Sequence, residues 1–362
     1  MKKNILNIRD IYRPNWLKNT ERDKKKLWLD KNENSDLILN KTIRSILKKI
    51  DHKAIFSYPD LSYLYKYLSK KLKISPENLL LTAGSDGGIK SVFETFIKPG
   101  DAVLRTNPTF AMYQVYSKIF KVKEILIEYK YFKSGPKFDY TKILYLIKNK
   151  KPRLICLPNP DSPTGHIISK KNLNKILLVS KKTNSLVLID EAYYLFSKET
   201  AISYIKKYNN LILVRSAGKA FGMAGLRIGY VISNKKFIKE LHKLKPMYEI
   251  NNLGAKIFYE MLKPNNFNKI EKSVKHQLKA KEKFKLQLRK LNLEVLENKG
   301  NFLHVNFGKH QKKITKEVGK IVYFRKKENH PCLKNFSRFT ITNKKNFNKI
   351  IDIITQSLKN KG

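Results

Sequence analysis

Two cysteines in 362 residues, Cys156 and Cys332, are too few for a disulfide framework, so a cytoplasmic setting is the default expectation. No run approaches the roughly 18 consecutive apolar residues that a transmembrane helix needs, and no membrane partner is expected. The opening "MKKNILNIRD" is basic without the apolar core of about 7–15 residues that marks a signal peptide. Internal repeats and low-complexity linkers are missing too, which excludes a repeat array. Acidic residues are scarce: 29 Asp and Glu face 76 Lys and Arg, a formal charge of +47. Such a surface attracts polyanions in general. The basic residues, however, are spread along the whole chain beside Asn and Ile ("KKIDHK", "IKNKK", "NKKNFNKI"). That pattern reads as compositional bias at solvated positions rather than a nucleic-acid site. No zinc-finger, RNP or basic-zipper signature accompanies it.

What is present is enough for a large core, with 41% apolar and 11% aromatic residues. Short apolar runs of strand type occur at 78–83 (NLLLTA), 102–106 (AVLRT), 153–157 (RLICL), 185–190 (SLVLID), 211–216 (LILVRS) and 228–233 (IGYVIS). They are nearly continuous rather than alternating, as expected of strands covered on both faces. Helix-period segments at 86–97 and 169–183 separate some of them. The alternation predicts an α/β fold with a mostly parallel sheet. After Lys263-Pro264 the pattern changes. A long helix is expected from a cap near Asn266, with Phe267, Ile270, Val274 and Leu278 on its apolar stripe and its Lys and Gln residues on the wet face. Short strands follow in "LEVLEN", "NFLHVNF", "KIVYF" and "SRFTIT", suited to a smaller α+β domain. The predicted division is residues 1–30 as a segment packing on the small domain, 31–260 as the large domain and 261–362 as the small one.

Ligands of open parallel sheets bind beyond the carboxyl ends of the strands. The first strand ends in "AGSDGG", a glycine turn opening a helix, which suits a phosphate or is plain capping. The second leads to Phe110, whose ring could lie on a flat ligand or simply fill core. The third leads to the proline-stiffened loop "PNPDSPTG". The fourth ends in Asp190, a carboxylate closing an apolar run, which either caps a helix or needs a cationic partner. Tyr193 follows three residues on. A carboxylate facing a pyridinium nitrogen, with a phenol on the adjacent ring oxygen, would hold a pyridoxal ring as an electron sink. The fifth strand ends in "RSAGKAFGMAGLRIGY", which delivers Ser216, Lys219 and Arg227. Lys219 stands between Gly218 and Ala220, with room for a flat cofactor beside its amine. Partial burial and a nearby cation would ease loss of its proton. Arg227 could grip a phosphate through two N–H groups.

These motifs, with "LDKNEN" (29–34), "YPD" (58–60), "YFR" (323–325) and "SRFTIT" (337–342) in order, resemble the fold-type-I pyridoxal-phosphate aminotransferases. Within them the chain is most similar to the histidinol-phosphate aminotransferase family. The resemblance covers nearly the whole chain and implies the aspartate-aminotransferase-like fold. It implies that Lys219 is the Schiff-base lysine and moves the proton, Asp190 pairs with the pyridine nitrogen, and Tyr193 bonds the ring oxygen. Phe110 takes the stacking position, and Ser85, Asp86, Ser216 and Arg227 surround the phosphate. Tyr58 matches a tyrosine that reaches the neighbouring subunit's cofactor, which implies a homodimer with shared sites. Arg338 matches the arginine for the substrate carboxylate and Arg325 the one for its distal acidic group. Tyr12 and Asn34 are expected to line the entrance.

Three positions depart from the family pattern. Gly218 replaces a phosphate-contacting serine, Ser162 an asparagine near the ring oxygen, and Gly87 an acidic residue after "GSD". None removes an indispensable group, and together they imply a specialised branch. The implied activity is amino transfer, with glutamate as donor and a small phosphorylated or acidic carbonyl compound as acceptor. Decarboxylation of a phosphorylated amino acid such as phosphothreonine or phosphoserine would use every one of the same cofactor residues. A third reading, a nucleic-acid-binding protein that has kept the fold without its chemistry, conflicts with the intact set Lys219, Asp190, Tyr193 and Arg227.

Overall fold

Neighbouring residues of one strand belong to two different cores. Leu104, Ile155, Leu157, Val187 and Ile189 pack in one cluster, while Val103, Leu154, Cys156 and Leu188 pack in another. A pleated strand sends successive side chains to opposite faces, so helices on both faces require unbroken apolar runs. The computed structural model describes residues 21–359.

Its strands in chain order are β1 Leu27–Trp28, β2 Leu79–Thr82, β3 Ala102–Asn107, β4 Lys123–Glu128, β5 Leu154–Pro158 and β6 Leu186–Asp190. Then come β7 Leu211–Ser216, β8 Gly229–Ile232, β9 Glu294–Val295, β10 Phe302–Asn306, β11 Val322–Tyr323 and β12 Phe336–Thr340. Seven form the large sheet in the order β2-β8-β7-β6-β5-β3-β4. Strands β3 to β7 run parallel, and β8 is antiparallel to both β2 and β7. All six expected strands of this sheet are present. The seventh, β4, carries Lys and Glu at its ends and sits at the sheet edge, where one side is left to water, so its apolar signal is weak.

The expected helices lie at Gly84–Phe96 and Lys170–Lys182, the second capped by the Ser169 hydroxyl, which accepts from Asn172 N. A three-stranded antiparallel sheet β12-β10-β9 forms a separate layer. Strand β1 pairs in parallel with β11, tying Leu27 and Trp28 to Val322 and Tyr323.

The long helix corrects two expectations. It runs Pro264–Lys290 and starts with Pro264 in its first turn, so Asn266 is not its cap. Asn266 lies inside that turn and donates to Glu260 O at 2.9 Å. Its polar residues do not all face water either. Gln277, Lys281 and Lys285 are buried. Gln277 donates to Asn34 Oδ1 at 2.6 Å, and Lys281 to Asn298 O, Asn298 Oδ1 and Gly300 O at 2.8–3.0 Å. Lys285 pairs with Glu297 and Glu282. Burial of these groups is tolerated because each donor meets an oxygen.

Candidate active site

One cleft at the carboxyl ends of β2, β3, β5, β6 and β7 is lined by Ser85, Asp86, Phe110, Ser162, Asp190, Tyr193, Ser216, Lys219 and Arg227. Nine residues spread over more than 140 positions thus share one small space. They meet because parallel strands end on the same side of the sheet.

The first wall is the turn into the Gly84–Phe96 helix. Gly84 has a φ of +75°, and Gly229 on β8 passes so close that an added Cβ would lie 2.3 Å from the Gly84 carbonyl carbon and 2.6 Å from Ser85 N. Only glycine allows that approach. Arg227, itself in the left-handed region, donates from Nη2 to Ala83 O at 3.3 Å. Asp86 accepts from the Tyr116 hydroxyl at 2.8 Å.

The opposite wall carries the acid. Asp190 is 5% exposed, and the hydrogen bond to its side chain comes from Ala192 N at 3.0 Å. Burial pushes its carboxyl up to about 7, against the pull of that N–H and of Lys219; Asp86 and Glu191 push the same way as burial. Glu191 next to it is fully provided for, by Arg215, Thr200 and the Ala201 N–H. No side chain among the described residues forms an ion pair with Asp190. A buried acid facing a cleft with one N–H donor fits a cationic ring nitrogen supplied by a ligand.

Lys219 is half-buried. Its Nζ donates to Lys31 O at 3.2 Å and lies 5.6 Å from the Tyr193 ring centre. The Tyr193 hydroxyl accepts from Asn32 Nδ2 at 2.9 Å, leaving its own proton for a ligand oxygen. Ser216 Oγ accepts from Gly218 N at 3.0 Å. A Cβ at Gly218 would lie 3.1 Å from that oxygen, so the glycine lets the lysine loop close on Ser216. The loop bearing Ser162 is anchored by Asp161, which is fully buried and accepts from Thr106, Thr109 and Tyr129 at 2.8–2.9 Å.

Arg338 on β12 is buried and is not among the residues that line the cleft. Its guanidinium stands over Phe302, which packs edge-on against Tyr193. Its Nε is 3.4 Å from Glu328 Oε1, an ion-pair distance without hydrogen-bond alignment. Arg325 bridges to Arg338 through two backbone hydrogen bonds of 3.0 and 2.8 Å.

Two further sequence candidates, Tyr58 and Asn34, are not among the residues lining the cleft. Tyr58 is 76% exposed and stacks on Tyr248 at 4.1 Å, outside the cleft. Asn34 is buried, with Nδ2 on Ala220 O and Oδ1 taken up by Gln277, so it braces the lysine loop from behind. Tyr12 falls outside the described residues. Sequence reasoning missed Asn32, although it sits inside the quoted "LDKNEN"; its backbone φ of 56° and its partner on a distant loop give no periodic signal.

The sequence model of the aminotransferase class I and II family matches residues 24–354. The chain belongs to the class I and II aminotransferases. This aminotransferase is 31% identical to a histidinol-phosphate aminotransferase of Clostridium novyi over 337 residues, 92% of each chain. Two solved structures share its fold. The histidinol-phosphate aminotransferase of Clostridium acetobutylicum superposes with a TM-score of 0.78 at 23% identity, over 91% of this chain and 98% of that one. That of Sinorhizobium meliloti, in complex with pyridoxal-5'-phosphate, gives 0.79 at 18% identity, over 92% and 91%. Among the described residues of the aminotransferase, no helix is long and apolar enough to cross a membrane.

Proposed function

We propose that the chain is a pyridoxal-phosphate-dependent aminotransferase of the histidinol-phosphate aminotransferase type. It takes its amino group from glutamate and passes it to a small phosphorylated or otherwise acidic carbonyl compound, and it works in the cytoplasm. The observation that carries this reading is Asp190, a buried acid without a cationic side-chain partner, in the same cleft as Lys219 and Arg227. When bound, the cofactor supplies an electron sink for charge developing at the substrate Cα.

The chain's own residues do the rest. Asp190 would accept from the ring N–H and so favour its protonated form. Tyr193, kept in place by Asn32, would donate to the ring oxygen, and Ser162 lines the same cleft. Phe110 covers one ring face. Ser85, Ser216, Arg227 and the backbone N–H groups at the start of the Gly84–Phe96 helix, that of Asp86 among them, bind the phosphate. Lys219 would provide the amine for the covalent link, and once freed by substrate its Nζ would serve as the base that takes the proton from the substrate Cα. Arg338 binds the α-carboxylate, and Arg325 serves the distal acidic group. Tyr58, exposed beside Tyr248, is set to reach the site of a second copy, which makes the working unit a homodimer.

Titrating the purified protein with pyridoxal phosphate tests the reading. A protein-bound absorption band should form with the wild type and not with Lys219→Ala. Glutamate should bleach it with release of 2-oxoglutarate. No band with the wild type, or the same band with Lys219→Ala, would end the cofactor assignment. Carbon dioxide release from a phosphorylated amino acid, without keto-acid product, would make the enzyme a decarboxylase instead.

A further inference from the structure

Gly87, in the first turn of the Gly84–Phe96 helix, has a neighbour that its sequence surroundings do not announce. A Cβ built there would lie 3.0 Å from Glu249 Oε1. The carboxylate occupies the space that a side chain at 87 would claim. The same Oε1 accepts from Ala83 N at 3.1 Å. Ala83 is the residue at the helix entry, and its carbonyl is the acceptor for Arg227 Nη2. The backbone of this one residue is therefore held on both sides, by an acid on its N–H and by an arginine on its C=O.

We infer that Glu249 is a positioning residue for the phosphate-binding turn, and that the glycine at 87 exists to admit its carboxylate. The inference rests on the proposed cofactor. Ala83 is followed directly by Gly84, Ser85 and Asp86, the last two of which line the cleft. Rotating the backbone at Ala83 would re-aim the N–H groups of these residues, and an anion held by several N–H groups is sensitive to small errors of aim. Glu249 also carries a cost: its Oε2 is buried and accepts no hydrogen bond from the described residues. A buried carboxylate oxygen left without a donor is costly, which argues that the other oxygen's contact matters to the protein. The acid stands next to Tyr248, the residue stacked on exposed Tyr58, so the loop that fixes the turn is continuous with that surface pair.

The inference separates from a general structural role by comparing two ligands, pyridoxal phosphate and pyridoxal without its phosphate. Glu249→Ala should weaken pyridoxal phosphate by about ten- to a hundredfold, the range for losing a hydrogen bond to a charged group. It should weaken pyridoxal by less than about threefold. Glu249→Gln keeps an acceptor for Ala83 N and should stay near the wild type. Gly87→Glu in the Glu249→Ala background returns a carboxylate to the vacated space and should recover most of the lost affinity. Equal loss for both ligands, no loss, tighter phosphate binding in Glu249→Ala, or failure of the double variant to recover would overturn it. If Glu249→Ala does not fold, the ratio of the two affinities in Glu249→Gln and in the double variant decides. A wild type that binds neither ligand would defeat the proposed cofactor rather than this inference.

Discussion

Asn32 Nδ2 donates to the Tyr193 hydroxyl at 2.9 Å across 161 residues of chain, and both groups are buried. Asn32 is itself locked: its N–H donates to Thr340 Oγ1 at 2.9 Å, and its carbonyl accepts from Asn301 at 3.0 Å. A residue of the N-terminal region thus transmits the position of the small antiparallel sheet to the phenol beside Lys219. Asn32→Ala should lower kcat by about five- to twentyfold, the worth of one buried neutral hydrogen bond. Adding it to Tyr193→Phe should cost little more, because the two act as a unit. Steady-state kinetics of the two single variants and the double variant check this.

Asp190 carries a prediction about the cofactor-free protein. Its carboxyl is pushed up to about 7 by burial, against an ordinary value near 3.9. The folded state keeps a proton that the unfolded chain has already lost, so this group's contribution to stability declines as pH rises from about 4 to about 7. Asp190→Asn removes the decline. Denaturant unfolding should show the variant more stable than the wild type by on the order of 1–3 kcal/mol at pH 8 and nearly equal to it at pH 4. The same variant should lose most of its transaminase activity.

Glu328 stands at 3.4 Å from the guanidinium assigned to the substrate carboxylate. On the proposed role of Arg338, it would compete with that carboxylate for the guanidinium. Glu328→Gln should lower KM for the amino donor by about two- to fivefold with kcat unchanged, the pattern of a ground-state competitor removed. Arg338→Ala should raise the same KM by more than about tenfold.

Gly229 tests the close approach of β8 to the turn at Gly84 and Ser85, the proposed phosphate site. Gly229→Ala puts a methyl group 2.3 Å from backbone that cannot yield without moving the turn. Affinity for pyridoxal phosphate should fall by about a hundredfold or more, with a stability loss of about 1–3 kcal/mol. Fluorescence titration and thermal unfolding report the two effects separately.

Much of the large sheet was legible because its strands are sealed on both faces, and a run such as "RLICL" has no other stable use. The cleft was legible for a related reason: parallel strands must discharge their last residues at one edge, so Asp190, Ser216 and the loop with Ser162 converge without further information. Strand β4 escaped because an edge strand needs fewer apolar residues. The long helix was misread at Gln277, Lys281 and Lys285, where polarity suggested water and the fold supplied oxygens instead.

The amino-acid order by itself determined six of the seven strands of the large sheet, which residues crown them, and that a lysine with small neighbours lies in sequence between an acid and an arginine. Those properties follow from local periodicity and from the one-way geometry of a parallel sheet. Only the tertiary structure decided that Asn32 steadies Tyr193, that Asn34 braces the lysine loop from behind, and that Glu249 fills the space left by Gly87. A buried polar group is acceptable only where a partner meets it. That partner comes from a distant part of the chain, so no local pattern records it.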